Sequence, residues 1–129
     1  MKYMIGVDIG TTSTKSVLYD ENGQFIMKHN IGYDLHTPNV EVSEENPDEL
    51  FDAVLMTVKY IVRESGISKK DIKLISFSAQ MHSLVAMDAQ NKRLTENITW
   101  ADNRSSRYAD LIENEYNGFE IYQRTGTPL

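Results

Sequence analysis

The chain has 129 residues, 13 basic against 19 acidic side chains, and a net charge of −6. That length fits one domain at most, and 40% hydrophobic with 25% charged residues is enough to bury a core. A pI near 5.0 argues against a nucleic-acid or anionic-membrane surface, no apolar run approaches the roughly 20 residues that span a bilayer, and the lack of cysteine excludes disulfides and thiolate metal sites.

The N-terminus reaches Asp8 too early for a signal peptide, which leaves the cytoplasm as the expected location. Tyr3 to Ile9 is a short, β-rich apolar run ending at Gly10 and reads as a buried strand. Lys15 to Asp20 and Gln24 to Ile31 alternate as two further strands, with Glu21-Asn22-Gly23 supplying an Asn-Gly hairpin turn between them. The opening is therefore an antiparallel three-stranded meander, with a tight Gly-Thr-Thr-Ser-Thr loop at its first bend. Gly32 to Glu45 is polar and irregular. A helix then starts with Asn46 as cap, Pro47 in the first helical position and Glu49 completing a capping box. Leu50, Phe51, Val54, Leu55, Val58, Ile61 and Val62 recur at helical spacing, and Gly66 stops the helix.

Asp71 to Ser78 reads as a strand with Ile72, Leu74, Ile75 and Phe77 largely buried, reached by a helical crossover and so parallel to the first. Leu84 to Met87 reads as another strand, Asp88 to Arg93 as a turn, and Ile98 to Trp100 as extended. A helix is predicted over Asn103 to Asn114, and a shorter one over Gly118 to Arg124. The order β-β-β-α-β-β followed by helices matches the start of a ribonuclease-H-like (actin-like ATPase) α/β motif with a mixed sheet, and not a dinucleotide fold. The closing stretch, Arg124 to Leu129, is turn-like with nothing after it to cover the sheet, so the expectation is an incomplete domain cut from something longer.

Asp8-Ile9-Gly10-Thr11-Thr12-Ser13-Thr14-Lys15 is the most informative octet. A glycine at a strand-to-strand bend lets backbone N–H groups approach a phosphate without a Cβ in the way. Four consecutive hydroxyl residues, Thr11 to Thr14, add neutral donors, and Lys15 places a cation nearby. Asp8, at the strand end, stands where a carboxylate holds Mg²⁺ directly or through water. The spacings of a Walker loop and of Gly-x-Gly-x-x-Gly are both absent. The plain alternative is a hairpin with a Thr/Ser-rich turn.

A second constellation follows the crossover strand. Ser78 to Ser83 leaves that strand at the end where open α/β sheets bind ligands. Gln80 and His82 offer hydrogen bonds suited to polyol hydroxyls, and Met81 a soft apolar wall. A third lies at Thr99 to Arg104, where the only Trp, Trp100, stands beside Asp102 and Arg104. An aromatic face next to hydrogen-bonding acids and bases suits sugar recognition. The alternatives are a structural histidine in the first case, and a core Trp with Asp102 or Asn103 as helix cap in the second.

These motifs, in this order, together with Ser43-Glu44-Glu45-Asn46-Pro47, resemble the N-terminal portion of the FGGY family of carbohydrate kinases along nearly the whole chain. The resemblance implies that residues 1–129 are the N-terminal part of the first of two actin-like domains. It implies that Thr11, Ser13, Thr14 and Lys15 meet the phosphates of ATP beside Gly10 and Thr12, and that Asp8 lies close to Mg²⁺ and the transfer site. Met81 and His82 match the sugar-contacting pair of the xylulose-kinase branch, and Trp100 and Asp102 match substrate-pocket positions across the family. Arg104 is the candidate cation for a sugar-acid carboxylate, since Lys15 is committed to phosphate. The implied reaction is transfer of the γ-phosphoryl group to a terminal hydroxyl. Gluconate, giving 6-phosphogluconate, is the acceptor suggested by Met81-His82-Ser83 and by Trp100 to Arg104, and xylulose is the alternative.

The general-base Asp and nearly all of the adenine pocket are expected beyond residue 129. The 129-residue chain alone is accordingly expected to show no ATP- and gluconate-dependent turnover, and its expected partners are a small sugar or sugar acid and the remainder of the kinase chain. No nucleic acid or membrane is expected, and an uncovered apolar face is compatible with a homo-oligomer. Two readings from other classes stand beside this one. An actin- or Hsp70-like ATPase would share the first loop but has no evident use for Gln80-Met81-His82 and Trp100 to Arg104. A non-catalytic sugar-binding module from a short gene is opposed by the unfinished C-terminus.

Overall fold

The computed structural model describes residues 1–127. The opening meander is present as β1 (Tyr3–Ile9), β2 (Ser13–Asp20) and β3 (Phe25–Gly32), all antiparallel, with β2 starting two residues before its predicted start at Lys15. At the second bend only Gly23 is left-handed, with φ of 77°. The Asp20 carboxylate accepts from the N–H groups of Asn22 and Gln24, both at 2.9 Å. The turn is thus an Asp-centred one, and the register slips between Leu18 and Tyr19 as a result.

The stretch predicted to be irregular up to residue 45 contains a two-residue strand, β4 (Glu44–Glu45). It is followed by α1 (Pro47–Glu64), which starts as predicted: the Asn46 side chain accepts from Asp48 N–H at 3.0 Å and Pro47 opens the helix. The reciprocal arm of a capping box is not among the hydrogen bonds of the described residues. Instead Arg93 donates to the same Asn46 oxygen at 3.1 Å. The buried face of α1 is narrower than its apolar spacing suggests. Ala53, Thr57 and Ile61 are buried, whereas Phe51 is 63% exposed. Packing against the meander places this i, i+4 line inward: Ile61 meets Ile5, Val7 and Leu18 in the core, and the Ser16 hydroxyl donates to Thr57 Oγ1 at 2.8 Å. His29 of β3 stacks on Tyr60 of α1 with ring centroids 3.7 Å apart. Gly66, at φ of 66°, ends the helix just past its cap Ser65.

A short 3₁₀ turn, Lys69–Asp71, leads into β5 (Ile72–Ala79), which runs parallel to β1 and gives the sheet order β3-β2-β1-β5. The predicted burial of this strand is corrected. Ile72 is half-buried, but Leu74, Ile75 and Phe77 are 52%, 41% and 60% exposed. β5 is an edge strand with one neighbour, and α1 lies over the meander, so apolar residues on both its faces have no cover.

Beyond it the predicted strand Leu84 to Met87 shrinks to two isolated bridges, Leu84 to Ile98 and Met87 to Arg93. The turn between them is as predicted, with the Asp88 carboxylate accepting from Gln90 and Lys92 N–H groups. Of the predicted extended stretch, β6 (Asn97–Ile98) pairs with β4 as an antiparallel ribbon, and Trp100 is already in a turn. The single predicted helix from Asn103 divides into a 3₁₀ turn at Ser106–Tyr108 and α2 (Ala109–Glu115). α3 (Gly118–Thr125) follows and stops at Gly126, φ of 72°. Pro128 and Leu129 of the turn-like end lie outside the described residues.

Candidate functional site

The alternation of β1 and β2 sorts the octet onto two faces. Ile5 and Val7 point into the core, so Gly6 and Asp8 point the other way, onto the face of the sheet that α1 does not cover. Thr14, Ser16 and Leu18 are buried on the α1 side, which leaves Lys15 on the open face directly across from Asp8. Ser78 of β5 flanks Asp8 on its other side. These residues, with Gly6 and Ser76, line an open hollow of about 270 Å³. Asp8 and Lys15 are both exposed, and no ion pair joins them among the described residues.

The bend itself is tight. Gly10 N–H donates to Ser13 C=O at 3.0 Å, and a Cβ at Gly10 would stand 3.3 Å from that same oxygen. Tyr33, a residue with no part in the motif, clamps the bend from outside. Its N–H donates to Thr12 C=O at 3.1 Å, and its hydroxyl donates to Gly10 C=O. With that proton committed, the hydroxyl accepts from Thr14, 3.2 Å away. The strand register was the available signal, since Ser13 faces Gly32 and places Tyr33 beside Thr12. Thr14 therefore departs from the expectation of four ligand-facing hydroxyls: it is fully buried and bonded inward, because the pleat turns it to the α1 side. Thr11, Thr12 and Ser13 keep some exposure. On the α1 side the bend borders a hollow lined by Thr12, Tyr33, Asp34, Glu49 and Asp52, whose acids repel a polyanion. The open face with Lys15 is the side that suits phosphate.

At the end of β5, Gln80 N–H donates to Ile9 C=O at 2.9 Å, so the loop carrying Met81 and His82 leaves beside the bend after β1. The Gln80 amide nitrogen donates to Glu45 Oε2 at 2.5 Å, and the Asn97 amide donates to the same oxygen at 2.7 Å. Glu45 is 1% exposed, and burial raises its carboxyl above the usual range, with the Gln80 and Asn97 bonds working against that rise. Met81 is 73% exposed. His82 is exposed and left-handed, φ of 60°, a conformation uncommon outside glycine.

The third segment is held by Ser43. Thr99 N–H donates to Ser43 C=O at 3.0 Å, and their side-chain hydroxyls lie 2.6 Å apart. Asp102 accepts from Ser43 N–H at 3.0 Å and from Arg104 Nε at 3.0 Å, and the Arg104 guanidinium also reaches Glu44. The alternative of Asp102 as a helix cap is not met: Asp102 Oδ1 accepts from Arg104 N–H at 3.1 Å in a local turn, because the helix begins only later. Arg104, expected to be available to a carboxylate, is paired with two acids of its own chain. Trp100 is 63% exposed and is no core residue.

The Arg104 guanidinium holds the Asp102 carboxyl down to about 2, with the Ser43 N–H bond assisting against the opposing effect of burial. The folded chain then binds fewer protons at Asp102 than the unfolded one between about pH 4 and pH 2. The stabilisation is complete above the unfolded value and is lost as pH falls through the folded one. Glu45 has the opposite sign, its contribution being present at low pH and lost as pH rises through its raised value. Asp102→Asn is expected to flatten the fall in stability between pH 4 and 2, measured by urea unfolding across that window. An unchanged acid slope would refute the assignment.

The roots of the three segments are thus linked at the end of the sheet where the parallel strands β1 and β5 finish, through the chain of bonds Ile9–Gln80–Glu45–Asn97. The exposure of Met81, His82 and Trp100 shows that they border an open surface rather than an enclosed cleft. A meander bent at a glycine, a helical crossover to a parallel strand and an open-face acid beside the bend define the ribonuclease-H-like sheet of an actin-like ATPase.

Residues 3–129 match the model of the FGGY family of carbohydrate kinases, N-terminal domain, and the chain belongs to that family. It is 52% identical over 127 residues to a gluconokinase from Bacillus subtilis, covering 98% of this chain and 24% of that protein. It is 35% identical over 106 residues to a xylulose kinase from the same organism, covering 82% and 21% respectively. The solved structure of a gluconate kinase from Lactobacillus acidophilus superposes with a TM-score of 0.90 at 41% identity, over 98% of this chain and 25% of that one. The chain spans about a quarter of the length of these relatives.

Proposed function

We propose that the chain is the N-terminal part of the first actin-like domain of an ATP-dependent kinase whose acceptor is gluconate. The observation that carries this reading is the 52% identity to a gluconokinase, against 35% to a xylulose kinase. The open-face geometry supports it: Gly10 removes a Cβ from the bend, and Asp8 and Lys15 stand side by side with unspent charges. ATP would supply the phosphoryl group, and Mg²⁺, held by Asp8 directly or through water, would neutralise charge as that group transfers. Within this chain, the N–H groups and hydroxyls of Thr11, Thr12 and Ser13 would orient phosphate oxygens, with Lys15 adding a cation. Thr14 contributes from inside, by holding Tyr33 against the bend. Met81, His82 and Trp100 would hold the acceptor; Gln80, read from the sequence as a sugar ligand, has its amide turned inward onto Glu45 and anchors the root of their loop instead, with Asp102 and Arg104 shaping the segment that presents the indole. Closure of a second domain would exclude water.

No helix of the described residues is long and apolar enough to cross a membrane, and we place the kinase in the cytoplasm. The test is a coupled assay of the whole kinase with gluconate and xylulose as competing acceptors. A kcat/KM at least about tenfold higher for gluconate is expected, and a preference for xylulose would overturn the substrate assignment.

A further inference from the structure

Ser43-Glu44-Glu45 belongs to the family resemblance but carries no phosphate or sugar contact in the reading above. We infer that Glu45 is a positioning residue, which fixes the two proposed sugar-binding segments to each other and to the start of α1. Its carboxylate is buried, yet it forms no ion pair among the described residues. What it meets are two amide donors from opposite directions: Gln80, at the root of the Met81-His82 loop, and Asn97, three residues before Trp100. One oxygen takes both bonds, at 2.5 and 2.7 Å, so the two roots are held within a few ångströms of one point.

A buried carboxylate is costly unless it is paired or hydrogen-bonded, and two amide donors supply those bonds to Glu45. Here the neighbouring wall is mostly apolar, with Ile9, Leu50, Val54 and Val85 around Gln80, Ser83 and Asn97. A leucine at this position would leave both amide donors buried without an acceptor. The second Glu45 oxygen, Gln80 Oε1 and the Ser83 hydroxyl are buried without protein partners among the described residues. His82 sits in a left-handed conformation next to exposed Met81, and such a loop keeps its shape only when its root is anchored. Glu44 performs the matching task one residue earlier, through Arg104 and Asp102.

The inference rests on the kinase reading for its functional consequence, but not for its geometry, and the test separates the two. In the whole kinase, E45Q keeps an acceptor oxygen while E45L keeps only the volume. E45L is expected to raise the gluconate KM about tenfold with the ATP KM within about twofold, and E45Q to restore the gluconate KM to within about threefold of the parent. Amide hydrogen exchange should quicken in E45L at residues 80–84 and 97–102, with β1 and β2 unchanged. A residue that merely filled space would be replaced by leucine without either change, and that result overturns the inference. Equal loss in both variants would overturn it too, since charge rather than bridging would then matter. Should E45L not fold, N97L removes one donor alone, and parental exchange and KM in that variant would likewise refute the role. A parent with no sugar-dependent turnover would sink the kinase reading, while the exchange data would still decide the role of Glu45.

Discussion

Asp8→Asn in the whole kinase is expected to lower kcat on the order of 10²- to 10³-fold while leaving the gluconate KM and the melting temperature nearly unchanged. The reasoning begins with the pleat. Ile5 and Val7 are 1% and 2% exposed against α1, so the intervening positions of β1 must face away, and Asp8 emerges on the open side. It is flanked there by Lys15 and Ser78, and no side-chain hydrogen bond or ion pair of the described residues restrains its carboxylate. Removing its charge therefore breaks nothing in the fold. What it removes is a fixed anion beside the bend, which is useful only when a cation and phosphate arrive. A large fall in melting temperature would show that Asp8 is structural, and an unaltered kcat would show that it is not part of the transfer site.

Leu18→Ala is expected to give the largest loss of stability, about 2–5 kcal/mol, read as a lower urea midpoint with an unchanged slope in the whole kinase. Leu18 is fully buried in the centre strand of the meander, packed with Ile5, Val7 and Ile61. The core is small, so a cavity there has few neighbours able to close it. Lys28→Ala on exposed β3 is the control and should stay within about 0.5 kcal/mol. Equal effects from the two substitutions would mean that the core is placed elsewhere.

Much of the architecture was legible locally. Tyr3 to Ile9 appears with its predicted ends, and the Asn46-Pro47 start and Gly66 stop of α1 are where their capping chemistry puts them. Those features depend on a few neighbouring residues, which is why a linear reading finds them. The readings that failed all depended on partners. Leu74, Ile75 and Phe77 have the composition of a buried strand, but burial is a property of what lies alongside, and β5 has one neighbour. The ribbon of β4 and β6 is two residues long on each side, too short to carry any periodicity. Thr14 and Ser13 look alike in the sequence, and only the register of β2 turns one inward and leaves the other partly exposed.

The chemistry divides in the same way. The octet from Asp8 to Lys15, the Gln80-Met81-His82 run and the Trp100 to Arg104 run carried a resemblance to the FGGY family, to which the chain belongs. The order of residues alone did not reveal that Tyr33 clamps the bend, that Arg104 is taken by Asp102 and Glu44, or that Glu45 ties Gln80 to Asn97. Each of those roles joins residues far apart along the chain through a contact of a few ångströms, and such a contact exists only once the strands have paired and chosen their faces.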